Sequence, residues 1–175
     1  MSNTHSNVMV ELNNWHSINW KSVDRAVFKL QKRIYKASQE GNKPKVRKLQ
    51  KLLTKSKAAR LLAVKRVTQD NRGKRTAGID RKKELNPKER LELANNLKLD
   101  GKASPVRRIM IPKPGRKEKR PLGIPTINDR AKQALAKIAL EPEWEAQFEP
   151  NSYGFRPGRS TKDAIAAIYG DINKT

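Results

Sequence analysis

The chemical capacity of this 175-residue sequence lies in cations set among prolines, glycines and aromatics. From Arg107 to Pro125 the chain reads Arg-Arg-Ile-Met-Ile-Pro-Lys-Pro-Gly-Arg-Lys-Glu-Lys-Arg-Pro-Leu-Gly-Ile-Pro, with seven basic residues and one acidic. A hairpin that ends one strand at Lys113 and begins the next near Arg120 can hold both cations above a polyphosphate. Arginine offers phosphate a planar two-pronged donor, and lysine a movable point charge. Pro112, Pro114, Pro121 and Pro125 stiffen the backbone and withhold ladder donors, which suits an edge hairpin. Arg107 and Arg108 open the same segment. Composition alone equally permits a solvated basic loop.

A second constellation is Asn151-Ser-Tyr-Gly-Phe-Arg-Pro-Gly-Arg-Ser160, running into a helix that Ser160 and Asp163 would open as a capping box. Amides at a helix N-terminus attract anions, and Arg156 and Arg159 would add to that attraction. Tyr153 and Phe155 supply flat faces for stacking. A loop that two aromatics merely anchor fits the same residues.

The third feature is longer. From Trp20 the chain turns helical. At roughly 100° per residue, Trp20, Val23, Ala26, Val27, Leu30, Ile34 and Ala37 fall in one arc, opposite Lys21, Arg25, Lys29, Lys32, Arg33 and Lys36. That helix should end near Gly41. Pro44 suits the first turn of a second helix reaching about Val67, with Val46, Leu49, Leu52, Leu53, Ala59 and Ala63 on one face and Arg47, Lys48, Lys51 and Lys55 behind. Leu61 and Leu62 leave the arc, so this helix is expected to pack on two sides. Residues 21–66 carry 16 basic and 2 acidic side chains. A solvated face usually mixes signs, so one without acids to pair favours phosphate contact. Phe28 and Tyr35 border the arc and could stack on bases. Packing is the commoner fate of such aromatics.

These elements imply an α-rich α+β organisation in three parts. Residues 1–16 are polar and aperiodic, a flexible arm with Trp15 close to the first helix. Residues 17–83 form a helical extension that ends in a basic loop containing Arg72, Lys74 and Arg75. Residues 84–175 hold a short helix from Asn86-Pro87 to about Gly101, a hairpin over 105–124, and helices over 126–148 and 160–171. Thr126 is placed to cap the first of those two helices.

The net charge of +23 favours a polyanionic partner. Nucleic acid is the first candidate and an anionic membrane surface the second. No apolar run approaches the roughly 18 residues that span a bilayer, and no membrane is expected among the partners. Without cysteine there are no disulfides and no thiolate metal sites, which fits a reducing, cytoplasmic setting. His5 and His16 cannot make a zinc site alone.

Taken together, PVRRIMIPKPGRKEKRPLGIPTINDRAKQAL followed by SYGFRPGRSTKDAI resembles the first two polymerase blocks of bacterial group II intron reverse transcriptases. WHSINWKSVDRAVFKLQKRIYKA and AVKRVTQDNRGKRTAGID are similar to the N-terminal extension of the same enzymes. The resemblance covers roughly residues 15 to 172. It implies the fingers subdomain of a right-hand reverse transcriptase, without the palm. It also implies a parent that is an RNA-directed DNA polymerase and intron-splicing cofactor, with group II intron RNA, template RNA and DNA, and dNTP as partners. By the resemblance Lys113 and Arg120 grip the nucleotide triphosphate, with Arg107 and Arg108 in the same block. Tyr153, Phe155, Arg156 and Arg159 line the template and nucleotide region. Arg25, Lys29, Lys32, Lys36, Lys48, Lys51, Lys55, Arg72, Lys74 and Arg75 hold RNA. Mg2+ is expected in the intact enzyme and none in this chain, because the family's palm aspartates do not occur in the sequence and Asp163 and Asp171 sit at the ends of a helix. Alone, the chain should bind RNA and polymerise nothing. The family often has proline where Ala77 stands here, and often a shorter hairpin turn, which leaves Arg116, Lys117 and Lys119 without an assigned role. Two other readings are a splicing cofactor without catalysis and a CRISPR-associated enzyme of the same lineage.

Overall fold

A computed structural model describes residues 14–173. Six helices and one hairpin follow in order: α1 (Trp20–Gln39), α2 (Lys43–Lys55), α3 (Lys57–Lys65), α4 (Pro87–Asn96), β1 (Arg107–Pro112), β2 (Lys119–Ile124), α5 (Ile127–Glu145) and α6 (Thr161–Ile172). The helix-rich architecture with a single two-stranded antiparallel sheet is the one the hydrophobic periods imply.

Most of the expected arm, residues 1–13, lies outside the described residues, as does His5. Its last residues are folded: Trp15–Ser17 make one 3-10 turn, capped by the Asn14 side chain accepting from His16 N–H. Trp15 is 1% exposed. Its indole N–H donates to Gln69 Oε1 at 2.9 Å, and its ring sits 5.0 Å from that of Trp20. A large apolar side chain with a satisfied N–H stabilises the core by roughly 2–3 kcal/mol, so Trp15 anchors the chain where a flexible arm was expected.

The long helix expected over residues 44–67 is two. Ser56 is extended (φ −70°, ψ 138°), its hydroxyl accepting from Ala59 N–H and donating to the Leu53 carbonyl. Serine competes well for backbone partners and so favours a cap over a helix interior. The break resets the helical phase, which is why Leu61 and Leu62 escape the arc of α2. Both are buried in α3 together with Ala59, Ala63 and Val64. A five-residue π turn, Arg66–Asp70, carries the chain out of α3.

The main core joins Val27, Ile34 and Ala37 of α1, Val46, Leu49 and Leu53 of α2, the apolar side of α3, Leu91 and Ala94 of α4, and Ala131, Leu135, Ile138 and Ala139 of α5. Pro142, inside α5, has no N–H to offer the Ile138 carbonyl four residues earlier. Gln31 of α1 supplies the donor, its Nε2 lying 2.9 Å from that oxygen. The repair fixes the approach of α1 to α5.

The first turn of α5 acts as a clamp. Thr126 caps it, and buried Asp129 accepts from the Thr126 hydroxyl at 2.7 Å and from Ser104 N–H at 3.1 Å. Lys132 donates to Asp100 and to the Lys102 carbonyl, so the segment leading to the hairpin is held on one side. Arg130 donates to the carbonyls of Gly73 (2.6 Å) and Thr76 (2.7 Å) and holds the basic loop on the other. Gly78 permits that approach, since a Cβ there would stand 2.8 Å from the Thr126 backbone. The large apolar residues of α6 are not covered by the described body: Ile165 and Ile168 are exposed.

Candidate nucleic-acid interface

Helical spacing puts Arg25, Lys29, Lys32 and Lys36 in one stripe of α1, roughly 160° from the buried Val27, Ile34 and Ala37. All four are exposed. Lys48, Lys51 and Lys55 form the matching stripe on α2, which packs antiparallel to α1 through the turn at Gly41, where φ is +68°. Carboxylates are scarce beside them. Lys36 lies 4.0 Å from Glu40, and that carboxylate also meets Lys45 at 3.5 Å. Lys32 stands 5.6 Å from the centre of the Phe28 ring. Such exposed pairs are worth well under about 1 kcal/mol and leave the cations free to meet another anion.

The loop after α3 is more ordered than its lack of period suggests. Arg72–Arg75 form a 3-10 turn started by Asn71. Arg72 points outward, Lys74 donates to the Gln69 carbonyl at 2.7 Å, and Arg75 lies 3.5 Å from Glu84. The loop thus offers Arg72 most openly.

In the hairpin, register decides which cations share a face. Arg107 pairs with Ile124, Ile111 with Arg120 and Pro112 with Lys119. Directly opposed residues project to the same side, and sides alternate along a strand. Arg107, Ile109, Ile111 and Arg120 therefore share one face. Lys113, whose N–H donates to the Glu118 carbonyl, continues it. Arg108 and Lys119 fall on the other face. Lys113 and Arg120 are diagonal neighbours, as a shared phosphate would require. Lys113 is nonetheless engaged, its Nζ 2.6 Å from Glu118 Oε2. None of the described helices packs extensively on the hairpin.

The segment from Glu149 to Ser160 is organised around Arg156, which is 9% exposed. Its guanidinium reaches Glu145 at 2.9 Å and donates to the carbonyls of Glu149 and Ser152. A guanidinium so committed shapes the loop that carries Tyr153, Phe155 and Arg159. Arg159 donates to the Pro150 carbonyl and lies 5.2 Å from the Tyr153 ring centre. Phe155 is fully exposed and has φ +59°, a conformation costly for a bulky side chain. The anion position at the start of α6 is filled from within. Asp163 Oδ2 accepts from Ser160 N–H (2.6 Å) and from the Ser160 hydroxyl (2.7 Å), and those bonds hold its pKa below the ordinary carboxylate value.

Arg130, Glu118 and Glu145 are among the positioning residues that escaped the sequence reading, as are Gln31, Asp129 and Lys132. Arg130 had a signal. A cation in the first turn of a helix opposes the macrodipole, so it needs a reason to be there. Among the described residues no group of three His, Asp or Glu side chains is placed to hold a metal. None of the described helices is long and apolar enough to cross a membrane.

Residues 15–97 match the family described as the N-terminal domain of reverse transcriptase. Maturase-like protein 1 of Euglena gracilis is 38% identical over 147 residues, covering 78% of this chain and 30% of that protein. Protein YkfC of Escherichia coli K12 is 35% identical over 130 residues, 71% of this chain and 33% of its own length. The group II intron-encoded protein LtrA of Lactococcus lactis subsp. cremoris is 48% identical over 64 residues, 37% of this chain and 11% of its own. This chain therefore spans a third or less of each of these relatives.

Proposed function

Because this chain belongs to the group II intron reverse transcriptase/maturase family, to whose N-terminal region it corresponds, we propose that it holds intron or template RNA on the cationic faces of α1 and α2. The observation that carries the reading is the pair of exposed stripes, Arg25-Lys29-Lys32-Lys36 and Lys48-Lys51-Lys55, with Glu40 the only carboxylate among the described residues paired to either. Each lysine or arginine that meets a phosphate releases a condensed counterion, and that release supplies the affinity. Arg72 extends the surface from the clamped loop.

The hairpin has a second task in this reading. As the fingers of the parent polymerase it directs Arg120 and Lys113 at the triphosphate of an incoming nucleotide, with Arg107 on the same face. Glu118 is then a placeholder for phosphate, and Lys113 exchanges one anion for another. Phe155 and Tyr153 supply flat surfaces beside the template. In this reading these side chains bind and orient, and Mg2+ would be held by the longer parent. DNA synthesis and intron splicing belong, in this proposal, to the longer parent.

The test is RNA binding by the 175-residue chain across a salt series. Log affinity should fall linearly and steeply with log salt, and absence of binding at about 50 mM salt would overturn the reading.

A further inference from the structure

Phe28 and Tyr35 do not follow the usual fate of aromatics on an amphipathic helix. They are 60% and 39% exposed and lie outside the apolar core. Two turns apart on α1, roughly 10 Å along its axis, they border a groove of about 650 Å³ that α5 and the loop after it close on the far side. Pro142 and Pro157 give that side an apolar lining. The acids that reach the groove are already compensated, Glu145 by Arg156 and Glu141 by Lys137. Lys32 and Lys36 stand on the rim beside the rings.

Size and lining fit a flat, partly apolar ligand, since small-molecule sites commonly span roughly 300–1,000 Å³. The charge on the rim narrows the choice. A polyanion that carries flat rings matches aromatic faces flanked by ammonium groups, and an apolar protein helix would leave those cations unanswered. Resting on the RNA-binding reading above, we propose that this groove receives an unpaired nucleobase of the bound RNA. The base stacks on Phe28 or Tyr35 while Lys32 and Lys36 meet the flanking phosphates. Stacking tolerates any base, because every base has a π-face. The groove thus selects an RNA feature, a bulge or loop, and reads no sequence. A fully paired helix cannot enter it, because its bases are stacked on one another.

The experiment compares two RNAs, a perfect duplex and the same duplex with one internal bulge, by fluorescence anisotropy with the full chain. Wild type should prefer the bulged RNA. The double variant Phe28→Ala/Tyr35→Ala should lose that preference, weakening on the bulged RNA by about tenfold or more while duplex binding and the salt slope stay put. Phe28→Trp/Tyr35→Trp should keep the preference, which separates stacking from damage to α1. Equal affinity of wild type for the two RNAs overturns the groove proposal and leaves the cationic faces standing. So does an unchanged preference in the alanine variant, or an effect of that variant on self-association alone. Failure of wild type to bind either RNA overturns both readings.

Discussion

Replacing Lys32, Lys36, Lys48 and Lys51 together with alanine tests the cationic faces directly. All four side chains are exposed, and among the described residues only Lys36 of the four is paired with a carboxylate, at 4.0 Å. Folding should be nearly untouched, since surface substitutions of this kind usually change stability by less than about 0.5 kcal/mol. Each phosphate contact contributes a salt slope of about 0.7 on a single strand. Four lost contacts flatten the plot of log affinity against log salt by about 3 units. Between about 50 and 200 mM salt, wild type should then lose roughly fiftyfold more affinity than the variant does. A charge-matched variant, with Lys82, Lys88, Lys98 and Lys162 replaced by alanine, removes the same net charge from other surfaces. Anisotropy titrations of all three proteins on one RNA decide the matter. If the charge-matched variant flattens the slope as much as the first, net charge rather than an addressed face binds RNA, and the reasoning is refuted.

Glu118→Ala should free Lys113 and tighten binding of a nucleoside triphosphate to the chain by up to about fivefold, the scale of an exposed ion pair. Calorimetry reads the change, and no tightening would mean that Lys113 does not wait on an anion. Gly78→Ala drives a Cβ to 2.8 Å from the Thr126 backbone, and overpacking of this kind costs about 1–3 kcal/mol. Urea unfolding should show it, and an unchanged midpoint would mean that the loop does not sit on α5 as described. Burial works against the Asp129 carboxylate, but its bonds from Thr126 and Ser104 prevail and hold its pKa below the ordinary value. Its contribution to stability is therefore complete above the unfolded pKa of about 3.9 and fades as pH falls toward the folded value. Urea unfolding of wild type should weaken more steeply below about pH 4 than that of Asp129→Asn, and equal pH slopes would dismiss the role.

Much of the framework is local and therefore legible in the chain itself. Caps at Asn86, Thr126 and Ser160, the turn at Gly41 and the hairpin around Pro114-Gly115 follow from what single residues do to their own backbone. Helical period alone places Lys29, Lys32 and Lys36 opposite Ile34, because both stripes lie on one element. Strand alternation, once the register is known, puts Arg120 on the side of Lys113. Ser56 is a harder case. The lysines around it are good helix formers, and the break shows only once the Ser56 hydroxyl is seen bonded to the Leu53 carbonyl and to Ala59 N–H.

Side-chain partners belong to another order of information, since neither period nor spacing along the chain says which of them will meet. Gln31 answers a carbonyl orphaned by Pro142, more than a hundred residues away. Arg156 looks in sequence like an open cation, and in the folded chain it is held by Glu145 and two loop carbonyls. Trp15 sits among polar residues and becomes core because Gln69 and Trp20 come to meet it. By itself the amino-acid sequence determined the elements, their faces and the sign of the surface, because backbone preference and period act over a few residues. Which cations remain free, and where a groove opens between α1 and α5, only the tertiary structure decided, because a charge is available or spent according to neighbours that folding alone delivers.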